Sequence, residues 1–192
     1  IKSVKILLFY LLTMNFTLSQ SLPYEQFLDF MNHSNGRVLG IDFYQGQYGE
    51  RFESTGTFYY LGKSYYIFDA IDQRISFKNG NITTINKIEK QVIYDKTIPG
   101  EVTIFDILTG TNESLLIGES LFEKNGYKIQ FTLKEWDMSG TIRTRSSTGK
   151  PVSIILNTGE GSEIRVNIIS IESGLKPLEI DLNAFEKIDL RE

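Results

Sequence analysis

Cysteine is absent from this chain of 192 residues. That excludes disulfides, thiolate nucleophiles, cysteine metal sites and lipid attachment at an N-terminal cysteine. A single histidine, His33, stands in a polar stretch with no second ligand or nucleophile near it in sequence, which leaves little basis for a triad or a metal site. There is no Gly-x-Ser-x-Gly elbow and no phosphate-cradling glycine loop. An excess of basic residues is missing too. The net charge is −4, whereas a phosphate backbone calls for a basic surface, so a nucleic-acid partner is not expected. Long apolar runs are likewise lacking, the longest lying at the N-terminus.

That N-terminal stretch has Lys2 and Lys5 ahead of an apolar run from Ile6 to Leu12, continued by Met14, Phe16 and Leu18, with small residues at Ser19 and Ser21. Thr13 and Asn15 interrupt it, and it is shorter than the ~20 residues that a membrane span needs. The layout is that of a secretory signal peptide over residues 1–21, leaving 22–192 as one domain and a mature chain of 18 basic against 24 acidic side chains.

The rest is rich in what β-structure uses. From Gly56 to Asp95, short aromatic and β-branched segments alternate with turn residues, the pattern of an antiparallel meander. Gly62-Lys63 suits a two-residue turn, and Asn79-Gly80 is the strongest short hairpin signal available, since both residues tolerate positive φ. Side chains alternate along a strand, so Phe58 and Tyr60 share one face, as do Tyr66 and Phe68 on the next strand. A sheet face paved with rings admits two readings: a core buried under a helix, or an open concavity that accepts lipid.

Flanking segments fit the same plan. Ser21 can cap a helix with Pro23 in its first turn and Tyr24, Phe27, Leu28 and Met31 at helical spacing, closed by Asn35-Gly36. A strand from Arg37 to Gln45 places Leu39, Ile41 and Phe43 on one face. Val102, Phe105 and Leu108 mark a short helix over Glu101 to Thr109, ended by Gly110. Strands are predicted over Tyr127–Leu133, Gly140–Arg145, Pro151–Asn157 and Glu163–Ile171. Trp136 falls in a loop among charges, where it covers a sheet edge or meets a partner. The pairs Asp69 with Asp72 and Glu119 with Glu123 read as solvated turn and helix-face charges rather than as acid and base.

Taken together, Phe43-x-Gln45, Gly56-x-Phe58, Tyr66-x-Phe68, Asn79-Gly80 and Gln91-Val92 occur in an order and spacing that resembles the periplasmic outer-membrane lipoprotein carrier family (LolA-like). The tail, with Leu178, Ile180, Leu182 and Phe185, resembles that family's closing strand. The resemblance implies an α+β fold: a curved antiparallel sheet or incomplete β-barrel of about 10–11 strands, with two or three helices over the concave face. It implies a hydrophobic cavity lined by Phe43, Phe58, Tyr60, Tyr66 and Phe68, with Gly62, Lys63, Phe105 and Leu108 at the lid and turn. It further implies acyl chains of lipoproteins as cargo, an inner-membrane ABC-type release complex and an outer-membrane acceptor as partners, a periplasmic location, and neither cofactor nor metal nor catalysis. One position departs. Where the family commonly has Arg-Pro, with the arginine helping to hold the lid, this chain has Gly62-Lys63, and simple alternation points Lys63 to the opposite face. A second reading keeps the fold but makes the protein a binding or sensing module for another hydrophobic ligand. Enzymatic hydrolysis on a β-scaffold is a weaker third.

Overall fold

The computed structural model describes residues 22–98, 100–110, 114–174 and 176–191. The stretch read as a signal peptide lies outside them. A helix α1 covers 22–31 and is followed by six strands: β1 (Arg37–Gln47), β2 (Glu50–Tyr60), β3 (Tyr65–Ala70), β4 (Gln73–Lys78), β5 (Asn81–Asn86) and β6 (Gln91–Lys96). Helix α2 (Ile104–Thr109) separates these from β7 (Leu115–Glu123), β8 (Gly126–Leu133), β9 (Met138–Arg145), β10 (Pro151–Gly159) and β11 (Ser162–Glu172). A 3₁₀ turn at Lys134–Trp136 joins β8 to β9, and β12 (Glu186–Asp189) closes the chain.

All twelve strands form one open, curved sheet in the order β12-β6-β5-β4-β3-β2-β1-β11-β10-β9-β8-β7. The sequence reading fell short of this count for two reasons. In β7 a register shift between Ile117 and Ser120 breaks the alternation that would mark a strand, so Glu119 and Glu123 sit on a strand and not on a helix. The closing strand begins only after Phe185 and pairs with β6 in parallel, the one departure from antiparallel order. Residues 176–182 carry no strand.

The meander follows its turn chemistry. Asn79 (φ 50°) and Gly80 (φ 78°) link β4 to β5 as expected. The β2–β3 connection is longer than a two-residue turn. It spans Leu61 to Ser64, with Tyr65 donating from its amide to the Gly62 carbonyl at 3.0 Å and Gly62 at φ 137°. Asn79 then donates to the Ser64 carbonyl at 2.9 Å, tying this loop to the next hairpin.

Register aligns one apolar face from β4 through β1 and β11 to β8. Phe58 pairs with Phe68 and with Leu39, Tyr60 with Tyr66, Tyr66 with Phe77, Ile154 with Val166 and with Ile142, and Ile142 with Ile129. These residues belong to one hydrophobic cluster with Phe27 and Met31 of α1 and Ile104, Phe105, Ile107 and Leu108 of α2. Both helices therefore pack on the same face. The i, i+4 pair Phe27 and Met31 of α1 is fully buried, which is the expected result of its apolar stripe. At the far end of α1, the Arg37 side chain donates from Nε to the Phe30 carbonyl at 2.7 Å, and its guanidinium lies 4.0 Å from the Phe30 ring centre.

Candidate functional site

The aromatic part of this face is built from β1 to β4 and covered by α2. Four rings surround Phe105. Its centroid lies 5.2 Å from Phe58 in a stacked pair, 5.4 Å from Phe68, 5.9 Å from Tyr66 and 6.4 Å from Phe43. Tyr66 stacks in turn on Phe77 at 4.9 Å. Such offset and tilted pairs contribute beyond simple area burial, roughly 0.5–1.5 kcal/mol each. Gly56 makes the arrangement fit: a Cβ there would lie 2.6 Å from the Phe68 ring and 2.7 Å from the Asp69 carbonyl, so only glycine lets that ring lie against β2.

The short helix is defined at both ends. Thr103 caps it, with the Asp106 amide donating to Thr103 Oγ1 at 3.2 Å and the Thr103 amide donating to Asp106 Oδ2 at 2.8 Å, a reciprocal capping box. Gly110 closes it in the left-handed conformation (φ 65°). The helix is thus shorter than expected, starting at Ile104 rather than Glu101.

Two tyrosine hydroxyls tie the ring face to the helices. Tyr60 donates to Asn32 Oδ1, just past α1, at 2.8 Å. Its cross-strand partner Tyr66 donates to Asp106 Oδ1 of α2 over a long 3.4 Å. Burial pushes the Tyr60 phenol up from its ordinary pKa. Burial and the Asp106 carboxylate push Tyr66 up strongly, against a smaller opposing effect of Thr103. Both hydroxyls keep their protons and stay donors at neutral pH.

The residues singled out from sequence are therefore placed as follows. Phe58, Tyr60, Tyr66 and Phe68 come together on one face and are buried, Phe43 borders them partly buried, and Phe105 and Leu108 lie over them from α2. The longer β2–β3 loop alters the position foreseen for Lys63. Instead of lying on the far face, it borders a surface cavity with Phe77, Glu101 and Asp106, on the side of α2. Trp136 donates its indole N–H to the Gly100 carbonyl at 2.9 Å, pinning the segment that leads into α2.

Other polar residues were misread or missed. Asp69 is no solvated turn charge: it accepts from Arg74 Nη2 at 2.5 Å and from Lys87 Nζ at 2.7 Å on the face away from the helices. Burial alone would raise its pKa, but the bonds from Arg74 and Lys87 outweigh that and hold the carboxyl below its ordinary value. The Thr103-x-x-Asp106 capping pattern was visible in the sequence. Nothing local announced the pairing of Asp69 with Lys87 across two hairpins.

Among the described residues there is no group of three or more His, Cys, Asp or Glu side chains able to hold a metal, and no helix is long and apolar enough to cross a membrane. No protein-family model matches the sequence, and no curated protein does. Solved structures do match in fold. An uncharacterised conserved protein from Thermus thermophilus superimposes with a TM-score of 0.56 at 9% identity, over 86% of this chain and 98% of that one. A LolA superfamily protein from Nitrosomonas europaea gives 0.48 at 9% identity, over 82% and 94% of the two chains. A putative outer-membrane lipoprotein-sorting protein domain from Vibrio parahaemolyticus gives 0.47 at 6% identity, over 86% and 96%. The fold shared with the Thermus thermophilus protein is one open, mostly antiparallel sheet with helices on one face. At such identities the likeness is one of fold alone, and the two scores below 0.5 carry nothing further.

Proposed function

We propose that the protein is a periplasmic carrier that takes up acyl chains of lipoproteins between the ring-paved, concave face of the sheet and its two helices. The observation behind this reading is the position of Phe105. A six-residue helix sets a single ring among Phe43, Phe58, Tyr66 and Phe68 and has one long hydroxyl bond, Tyr66 to Asp106, across that contact. An acyl chain entering there exchanges one apolar contact for another. Each methylene it buries contributes about 0.8 kcal/mol, so a few carbons offset the loss of the Phe105 contacts. Cargo arrives from an inner-membrane ABC-type release complex and leaves to an outer-membrane acceptor in this scheme. No chemical step is required.

A second reading, a sensing module for another hydrophobic ligand, draws on Gly62-Lys63. The arginine that the family uses at the lid has no counterpart there, and Lys63 lines the same surface cavity as Asp106 from a differently built loop.

Burial decides how to test these. A glutamate at Phe68, 3% exposed, would place a carboxylate in the core and report on folding instead of binding. Phe105→Ala is the better variant. With the competing ring gone, binding of a triacylated lipopeptide should tighten on the order of tenfold, while stability falls by about 3 kcal/mol. Acylated lipoproteins co-purifying with the wild type from a periplasmic extract complete the case for the carrier. Free lipid without lipoprotein supports the sensing module, and affinity unchanged by Phe105→Ala refutes the site.

A further inference from the structure

The face of the sheet turned away from the helices carries a second, separate cavity. Tyr65 and Ile67 of β3, Arg74 and Ser76 of β4 and Ile85 of β5 form its floor, and the segment 176–180 passes over it as a strap. It is an open groove of about 570 Å³, within the range of small-ligand sites. Its walls are mostly apolar, with Leu61, Pro177, Leu178 and Ile180 added to the two isoleucines.

One buried cation stands in this apolar setting. Arg74 is 7% exposed, gives Nη2 to Asp69 at 2.5 Å, and gives Nη1 to the backbone carbonyl of Leu178 at 2.6 Å. Its Nε is buried and has no partner among the described residues. Asp69 is shared with Lys87, so one carboxylate serves two cations. The remaining charged groups lining the cavity are Lys176 and Glu179, which offset each other. The guanidinium is therefore under-neutralised, and what holds the strap to it is a neutral carbonyl.

We propose that this cavity binds a single-chain amphiphile with an anionic head, a carboxylate or phosphate monoester on an alkyl chain, with the head on Arg74 and the chain between strap and sheet. A charged oxygen is a stronger acceptor than an amide carbonyl, so the head replaces Leu178 at Nη1 and gives Nε a partner when the strap lifts. The chain lies on Ile67, Ile85 and Ile180. This site shares no residue with the ring face and stands or falls independently of the carrier reading.

The test is methyl NMR of the whole mature chain, titrated with decanoate, decyl phosphate, decanol and decyltrimethylammonium below their micellar concentrations. Decanoate or decyl phosphate should shift Ile67, Ile85 and Ile180 and leave Leu39, Leu108 and Ile142 of the helix-covered face in place. Which of the two binds more tightly identifies the head group as carboxylate or phosphate. Decanol should bind at least about tenfold more weakly, as loss of a hydrogen bond to a charged group entails. Ser76→Trp fills the cavity from β4 while keeping the Arg74 side chain and its Asp69 partner, and should abolish the shifts in a folded protein, which keeps the test valid where Arg74→Gln fails to fold. Equal binding of decanol or the cationic amphiphile, shifts confined to the helix-covered methyls, or binding retained by Ser76→Trp would each overturn the proposal.

Discussion

Along β3, Tyr66 and Phe68 point into a stack of rings beneath α2, while Ile67 and Asp69, one residue away, face an ion cluster and a strap of coil. The first environment is held by many weak, interchangeable contacts. The second depends on a few directional ones. Rings tolerate exchange, because apolar contact has no preferred partner. A guanidinium is more selective, because each of its N–H donors can exchange a partner only for another acceptor placed along the same direction.

Four substitutions probe that contrast. Phe58→Ala, at a fully buried position in the stack, should cost about 4 kcal/mol in urea unfolding; a loss below about 1 kcal/mol would mean that the helix-covered face is loosely packed. Arg74→Met removes one partner of a largely buried pair and should cost about 3 kcal/mol, with Lys87 left to hold Asp69. Tyr60→Phe deletes the 2.8 Å bond to Asn32 and should cost about 1 kcal/mol. Tyr66→Phe deletes the long 3.4 Å bond to Asp106 and the hydroxyl contact with Thr103, so a loss smaller than that of Tyr60→Phe is expected. Reversal of the last two would show that α2, not α1, is the more firmly latched helix.

The two faces also differ in their response to pH. Tyr24, pushed up to about 12 by burial, and Tyr60 and Tyr66, also raised, bind their protons more tightly folded than unfolded. Their contribution is complete below the phenol's ordinary pKa and is lost as pH climbs above about 10. Asp69 works in the opposite direction. Its folded pKa is depressed, so its contribution is present above about pH 4 and is lost as pH falls further. Alkaline unfolding that is unchanged in Tyr60→Phe, or acid unfolding unchanged in Asp69→Asn, would contradict this assignment.

How much of this could be read from the sequence follows from how local each feature is. The β3–β6 meander was legible because each strand is six residues long and the turn at Asn79-Gly80 states its own geometry. The grouping of Phe58, Tyr60, Tyr66 and Phe68 followed from alternation alone. Whether those rings line an open space or pack against something was left open, because the answer sits on Phe105, beyond the end of the meander. β7 was hidden by its bulge and β12 by its distance from β6. Lys63 went astray because one misjudged loop length changes the side on which a residue emerges. The Arg74 cluster joins β3, β4, the loop after β5 and the tail, a grouping that no local pattern encodes.

The order of strands bears on how the chain finds its shape. β1 to β6 pair with their sequence neighbours, and so do β7 to β11, giving two runs of short-range hairpins. What unites them is the β1–β11 seam, which matches Val38 with Glu172 and Gly46 with Glu163. Loop closure over such a distance is slow compared with hairpin formation. The two runs can therefore zip up early and separately, with β1 and β11 unpaired until the seam closes and β6 unpaired until β12 arrives. During that interval β1, β11 and β6 are edges at which a nascent molecule is open to pairing with another copy of itself.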